Sequence, residues 1–201
     1  IVAGLTTAAF RMVGPVYGIE VGLSVESIAL FLAAFVAGGA LAQIPVGWLA
    51  DKYDRRWVLI WLSGASIAAC GLTVLLSTQG ASAIMFASAI FGFMTFPIYS
   101  VSAAHAHDFA SDDERIELSA ALMFLYALGA IASPLGVSWL IEAFGPSAMF
   151  IFIALAHGVL IVYGVIRMRA RPSGLVRGKY IYVPRTSFLI GRLLGRGKDD
   201  K

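Results

Sequence analysis

Arg11, His157 and the charged run Asp51–Arg56 are the residues whose type and place could do chemistry in this sequence. Arg11 stands inside an apolar stretch, where a fixed cation costs about 2.5–3.5 kcal/mol even on lenient scales. Such a group can bind an anionic small molecule or pair with a carboxylate from another part of the protein, Glu20 being in reach only if the helix bends at Gly14-Pro15. It can also snorkel or pack at an interface. His157, between Ala156 and Gly158, can carry a proton near neutral pH, or stay neutral and bond to a neighbouring helix. His105 and His107 are two apart, so on a helix they face different ways and make a poor metal pair. The lone Cys70 allows neither an intrachain disulfide nor a thiolate cluster. No nucleophile–base set or phosphate loop is visible, so covalent catalysis, cofactors and resident metals are not expected.

The elements that carry these residues are oily. Of the 201 residues 59% are apolar and 13% charged, and the mean hydropathy is +0.84; a soluble domain is nearer half apolar and a quarter charged. Six apolar stretches can be marked, near Ile1–Gly18, Val25–Ala50, Trp57–Ser77, Ser82–Ala104, Leu118–Ile141 and Ser147–Met168. Each approaches the roughly 20 residues that a helix needs to cross a bilayer. Barrel strands are shorter and alternate strictly, which these runs do not. The expected fold class is therefore all-α, a polytopic six-helix membrane bundle over residues 1–168, followed by a basic tail over 169–201 for which disorder is the default. The first run begins at residue 1 with neither a basic leader nor an initiator Met, which leads us to expect sequence upstream.

Turn chemistry and charge organise the bundle. Ser24 ahead of Glu26 reads as an N-cap, and Ser111-Asp112-Asp113-Glu114 as a capping box that starts the fifth helix near residue 112. Gly80 and Gly145-Pro146 mark short turns. Of fifteen Lys and Arg, fourteen lie in the loops around 51–56 and 108–117 or in the tail from Arg167. Only Arg11 does not. By the positive-inside rule those loops and the C-terminus are cytoplasmic, in a cell membrane. The tail cations suit an anionic leaflet better than nucleic acid. Bends are expected at Gly14, Pro15, Pro45, Pro97 and Pro134. Tyr17, Gln43, Tyr99, Ser100 and Tyr126 are polar groups at membrane depth, available to line a cavity or to bond between helices.

The stretch Gly47-Trp48-Leu49-Ala50-Asp51-Lys52-Tyr53-Asp54-Arg55-Arg56-Trp57-Val58-Leu59 resembles the motif A loop of the major facilitator superfamily. Gly47, Leu49, Ala50, Asp51, Lys52, Arg55, Arg56 and Leu59 match that pattern, and Asp54 replaces its turn glycine. Asp tolerates the left-handed conformation, so the turn is expected to survive. Physically, Gly47 suits a close helix approach, Asp51 could accept backbone N–H groups of the next helix, and Arg55 and Arg56 could pair with Asp51 or with a facing helix end. Phe96-Pro97-Ile98-Tyr99-Ser100, Ala104-His105-Ala106-His107-Asp108 and Tyr182-Val183-Pro184-Arg185-Thr186-Ser187 further resemble the YcaD-like branch. Gly129–Gly136 is similar to the family's Gly-rich motif C, with Ser133 in place of a glycine, and suits close packing with a bend at Pro134.

The resemblance implies a permease that moves a small solute by alternating access. By that resemblance Gly47, Asp51, Lys52, Arg55 and Arg56 would form a cytoplasmic gate. By residue type and place alone, Arg11, Tyr17, Gln43, Tyr99 and Tyr126 are the candidates for the solute pathway and His157 for a coupled proton, although the family's twelfth helix is usually peripheral, which favours a packed neutral His157. No basic residue lies on the fourth helix, where the N-terminal half of the family carries Arg, and a basic tail follows the sixth. The expectation is therefore helices seven to twelve, partnered by lipid and by an N-terminal six-helix half, with an N-terminal half that has lost its Arg motif as the runner-up. A non-transporting scaffold subunit and a half-size permease working as a homodimer are the competing readings.

Overall fold

Local sequence signals set where each helix begins and ends. The computed structural model describes residues 1–111 and 113–170, and every element among them is helical. They are α1 (Val2–Ala8), a π turn (Ala9–Val13), α2 (Gly14–Glu20), α3 (Val25–Lys52), α4 (Arg55–Leu75) and a 3-10 turn (Leu76–Thr78). After these come α5 (Ala81–Thr95), α6 (Pro97–His107), α7 (Arg115–Phe144) and α8 (Ala148–Ala170). Ser24 caps α3, its Oγ accepting from the Ser27 N–H at 3.2 Å. Asp54 caps α4 by accepting from the Arg56 N–H at 2.9 Å. Gly80 (φ 99°) and Gly145 (φ 82°) take backbone conformations that a side chain would strain, and so close the turns before α5 and after α7.

Five segments are long and apolar enough to cross a bilayer: Val25–Lys52, Arg55–Thr78, Ala81–His107, Arg115–Phe144 and Ala148–Ala170. The first of the six expected runs is helical from Val2 to Glu20 but is divided by the π turn. Pro15 explains the division. It has no N–H for the Arg11 carbonyl, and its ring would press on that carbonyl in a regular helix, so the chain widens by a residue just upstream. Of the expected bends, Pro15 and Pro97 coincide with breaks, whereas Pro45 and Pro134 sit inside continuous helices. The helix of the last run continues through Ala170, two residues into the expected tail. The rest of that tail, 171–201, lies outside the described residues.

The capping box forms differently from its expectation. Glu114 accepts both the Ser111 N–H (3.0 Å) and the Ser111 hydroxyl (2.7 Å), so the hydroxyl donates rather than caps. The helix α7 then starts at Arg115 instead of near 112.

Packing follows glycine and aromatic residues. A Cβ on Gly38 would collide with the Ala89 carbonyl, one on Gly92 with the Phe35 carbonyl, and one on Gly39 with the Phe96 ring. Backbone contact this close is what binds α3 to α5 without a hydrophobic driving force. Gly4 and Gly129 bring α1 against α7 in the same way, and Ser133 Oγ donates to the Leu5 carbonyl at 2.8 Å across that seam. One core cluster centres on Phe10, whose ring lies 4.2 Å from Phe35, 4.8 Å from Phe31 and 5.2 Å from Phe91. A second, of Ala42, Val46, Ala50, Val58, Leu62, Ile98 and Val101, lies beneath the α3–α4 loop. Outside, large apolar side chains stand open, with Ile44 83% and Trp61 74% exposed. Lipid tolerates that surface; water does not.

Candidate functional site

The loop between α3 and α4 is two residues long. Tyr53 and Asp54 are both extended, Asp54 at φ −62° and ψ 118°. The left-handed turn expected at Asp54 is absent, because Asp54 acts instead as the N-cap of α4. Its carboxylate also accepts from the Arg56 guanidinium at 3.0 Å. Asp51 therefore does not cap α4, as the sequence suggested; it ends α3, largely exposed, and pairs with Arg55 at 3.2 Å. Among the described residues a Cβ on Gly47 would meet nothing within 4 Å, and the close approach occurs at Gly38, Gly39 and Gly92. Lys52 lies over the rings of Trp48 (4.9 Å) and Tyr53 (5.6 Å).

Arg55 is the hub of this end of the bundle. Besides Asp51, its guanidinium donates to the Ala104 carbonyl at 3.0 Å and to the Asp108 carboxylate, and its side chain is only 18% exposed. Asp108 caps the C-terminus of α6, where a carboxylate opposes the helix dipole and the last carbonyls lack donors. A planar guanidinium satisfies both at once. One side chain thus fastens the end of α3 and the end of α6 to the start of α4. The sequence allows Arg55 a facing helix end, but it offers Asp108 only as the last residue of the run Ala104–Asp108 and not as a partner of the loop. The signal for that partnership is an acid at the end of a span on the same side as the basic loop.

The remaining polar groups fall in separate places. Arg11 lies on the π turn, exposed, beside an open groove of about 550 Å³ whose other wall is Leu32, Ala33, Val36, Ala37 and Ala40 of α3. No carboxylate among the described residues, Glu20 included, forms an ion pair with it. Gln43, further along the same stripe of α3, accepts from the Ser100 hydroxyl at 3.1 Å. Tyr99 and Tyr126 meet edge to face at 5.3 Å. Tyr17 is fully buried, its hydroxyl 3.5 Å from the Thr73 carbonyl, the interhelical alternative the sequence left open. His157 is fully buried on α8 and shares a hydrogen bond with Thr6 of α1 at 3.1 Å. His107 reaches Ser119 at 3.2 Å while the His105 ring packs on Phe109.

A helical membrane bundle with a charged hub at one end defines the class, and comparison defines the family. The model of the Major Facilitator Superfamily matches residues 1–191, and the chain belongs to that superfamily. A protein of Yersinia pestis (strain Pestoides F), described as an "Uncharacterized MFS-type transporter", is 30% identical over 169 residues, 84% of this chain and 42% of its own length. The "Uncharacterized MFS-type transporter YcaD" of Escherichia coli O139:H28 is 28% identical over 154 residues, 77% and 39% of the two lengths. The chain thus spans about two fifths of the curated relatives it matches. It is a multi-pass membrane protein of a transporter family.

Proposed function

We propose that this chain is the C-terminal six-helix half of a secondary transporter that carries a small solute by alternating access. Val2–Glu20 crosses the bilayer as its first helix despite the π turn. The loop Gly47–Leu59 latches the gate on the cytoplasmic side of the cell membrane, where the C-terminus also lies. The observation that carries the gate reading is Arg55, whose one guanidinium holds Asp51, the Ala104 carbonyl and Asp108 on two other helices. A latch of this kind holds when the three helix ends are together and releases when they part. Lys52, Arg56 and Arg115, in or beside the loops of the same end, support its orientation. The Thr6 bond and full burial of His157 favour a packing role over proton carriage.

A gate is testable without knowing the solute. In the intact transporter, with Cys70→Ser and a single cysteine at Ala40 in the groove, a membrane-impermeant maleimide is applied to the cytoplasmic face of inside-out vesicles. Arg55→Ala is expected to raise the labelling rate roughly tenfold, the shift that a loss of about 1.4 kcal/mol from the closed state produces. Asp108→Asn, which removes the same pair from the other side, should act alike. Labelling that ignores both changes excludes the latch, and a rigid scaffold subunit would give that result.

A further inference from the structure

Arg11 is held in place by its neighbour. Phe10 is fully buried against Phe31, Phe35 and Phe91, so the π turn cannot rotate without emptying the aromatic core. That anchor turns the next residue outward, over the α3 wall of Leu32, Ala33, Val36, Ala37 and Ala40. Three of those five side chains are alanines, which is what leaves space in front of the guanidinium. Counting along the helix, Arg11 is about 14 Å from Glu20, where α2 ends. This is too far for an arginine side chain to reach a headgroup at that end by stretching. Facing lipid there, the charge would be costly; facing a water-filled cavity between two halves, it is not.

We propose that the groove binds an amphipathic organic anion, its carboxylate or similar oxyanion on Arg11 and its apolar body along Leu32, Val36 and Ala40. The geometry matches both parts of such a molecule. A guanidinium offers parallel N–H donors that fit an oxyanion bidentately, and the remaining wall has only carbon to offer. Gln43, one turn beyond Ala40 and already accepting from Ser100, marks where the wall becomes polar again and limits the length of the apolar body. This assignment rests on the transport reading, since it names the class of solute that the proposed pathway would carry.

The test uses the intact transporter in phosphatidylcholine nanodiscs, with radiolabelled phenylacetate, hexanoate and phenylphosphonate as probes and phenylacetamide as the uncharged control. At least one anion is expected to bind, and the amide to compete at least tenfold more weakly. Arg11→Gln should weaken that anion roughly tenfold or more, the loss expected of a charge-assisted pair, with Arg11→Lys between. Ala37→Phe leaves the cation in place and fills the groove; it should abolish binding even if Arg11→Gln does not fold. Three results each overturn the proposal: no anion binds the unmodified protein, the amide binds as well, or a folded Arg11→Gln or Ala37→Phe protein binds as before. Loss of binding when phosphatidylglycerol is added assigns the site to a lipid headgroup and also overturns it. The gate is read from maleimide labelling at Ala40 in Arg55→Ala, and the groove from anion binding in Arg11→Gln and Ala37→Phe with Arg55 intact, so failure of the latch and failure of the groove are told apart.

Discussion

Two polar pairs carry opposite lessons at the scale of single residues. Thr6 and His157 are both buried where only protein can satisfy them, and interhelical bonds of this kind contribute about 0.6–2 kcal/mol in membrane proteins. Thr6→Val, close in shape, is expected to destabilise the intact protein by about that amount in a detergent melt. A double-mutant cycle with His157→Leu should return a coupling of similar size, and zero coupling would show that the two side chains merely touch. Glu114 is the exposed counterpart. The Ser111 hydroxyl and backbone N–H hold its carboxyl below the usual range. Because its pKa is lowered in the folded loop, the turn is favoured above the ordinary glutamate value and loses that support as pH falls through the lowered one. A carboxyl carbon titration by NMR should place the midpoint below that of a free glutamate, and Ser111→Ala should move it back up. His157 was conspicuous in the sequence as a lone titratable group in an apolar run. Its partner Thr6 was not, since a threonine in an oily helix signals nothing until the fold brings the two together.

At the scale of elements, the helices were readable because lipid forces every backbone group to be satisfied inside its own segment. Five of the six runs appear with ends shifted by a few residues, and the sixth is helical with a π turn that Pro15 explains afterwards. Periodicity could not say which glycine does what. Gly47 carries the motif but has no close neighbour among the described residues, while Gly38 and Gly92, unremarkable in sequence, set the α3–α5 contact. The difference predicts a reversal of the usual expectation for a motif glycine. Gly38→Ala and Gly92→Ala should each cost about 1–3 kcal/mol by overpacking. Gly47→Ala should leave thermal stability unchanged or raise it by up to about 1 kcal/mol through helix propensity. Melting curves of the three purified variants decide it; a Gly47→Ala protein as unstable as Gly38→Ala would place an unseen neighbour against that face.

For the whole molecule, the charge asymmetry was legible because it needs only a count of Lys and Arg, whereas the hub was not, because Arg55 and Asp108 are 53 residues apart in the chain. The same asymmetry makes the topology a sharp prediction. With Cys70→Ser, single cysteines at Tyr53 and Ala110 should label only from the cytoplasmic face, and those at Gly22, Gln79 and Gly145 only from the opposite one. The segment Val2–Glu20 is the one place where the count of spans is open to challenge. It has the length to cross, but the wider turn and Arg11 interrupt its apolar surface just where lipid would object most. If a cavity rather than lipid faces Arg11, crossing is favourable, and a reporter joined ahead of Ile1 in the intact protein lies on the side opposite to Gly22. If both lie on the same side, the segment dips in and returns, Arg11 sits at a headgroup, and the anion groove and the six-helix half fall together while the Arg55 hub stands.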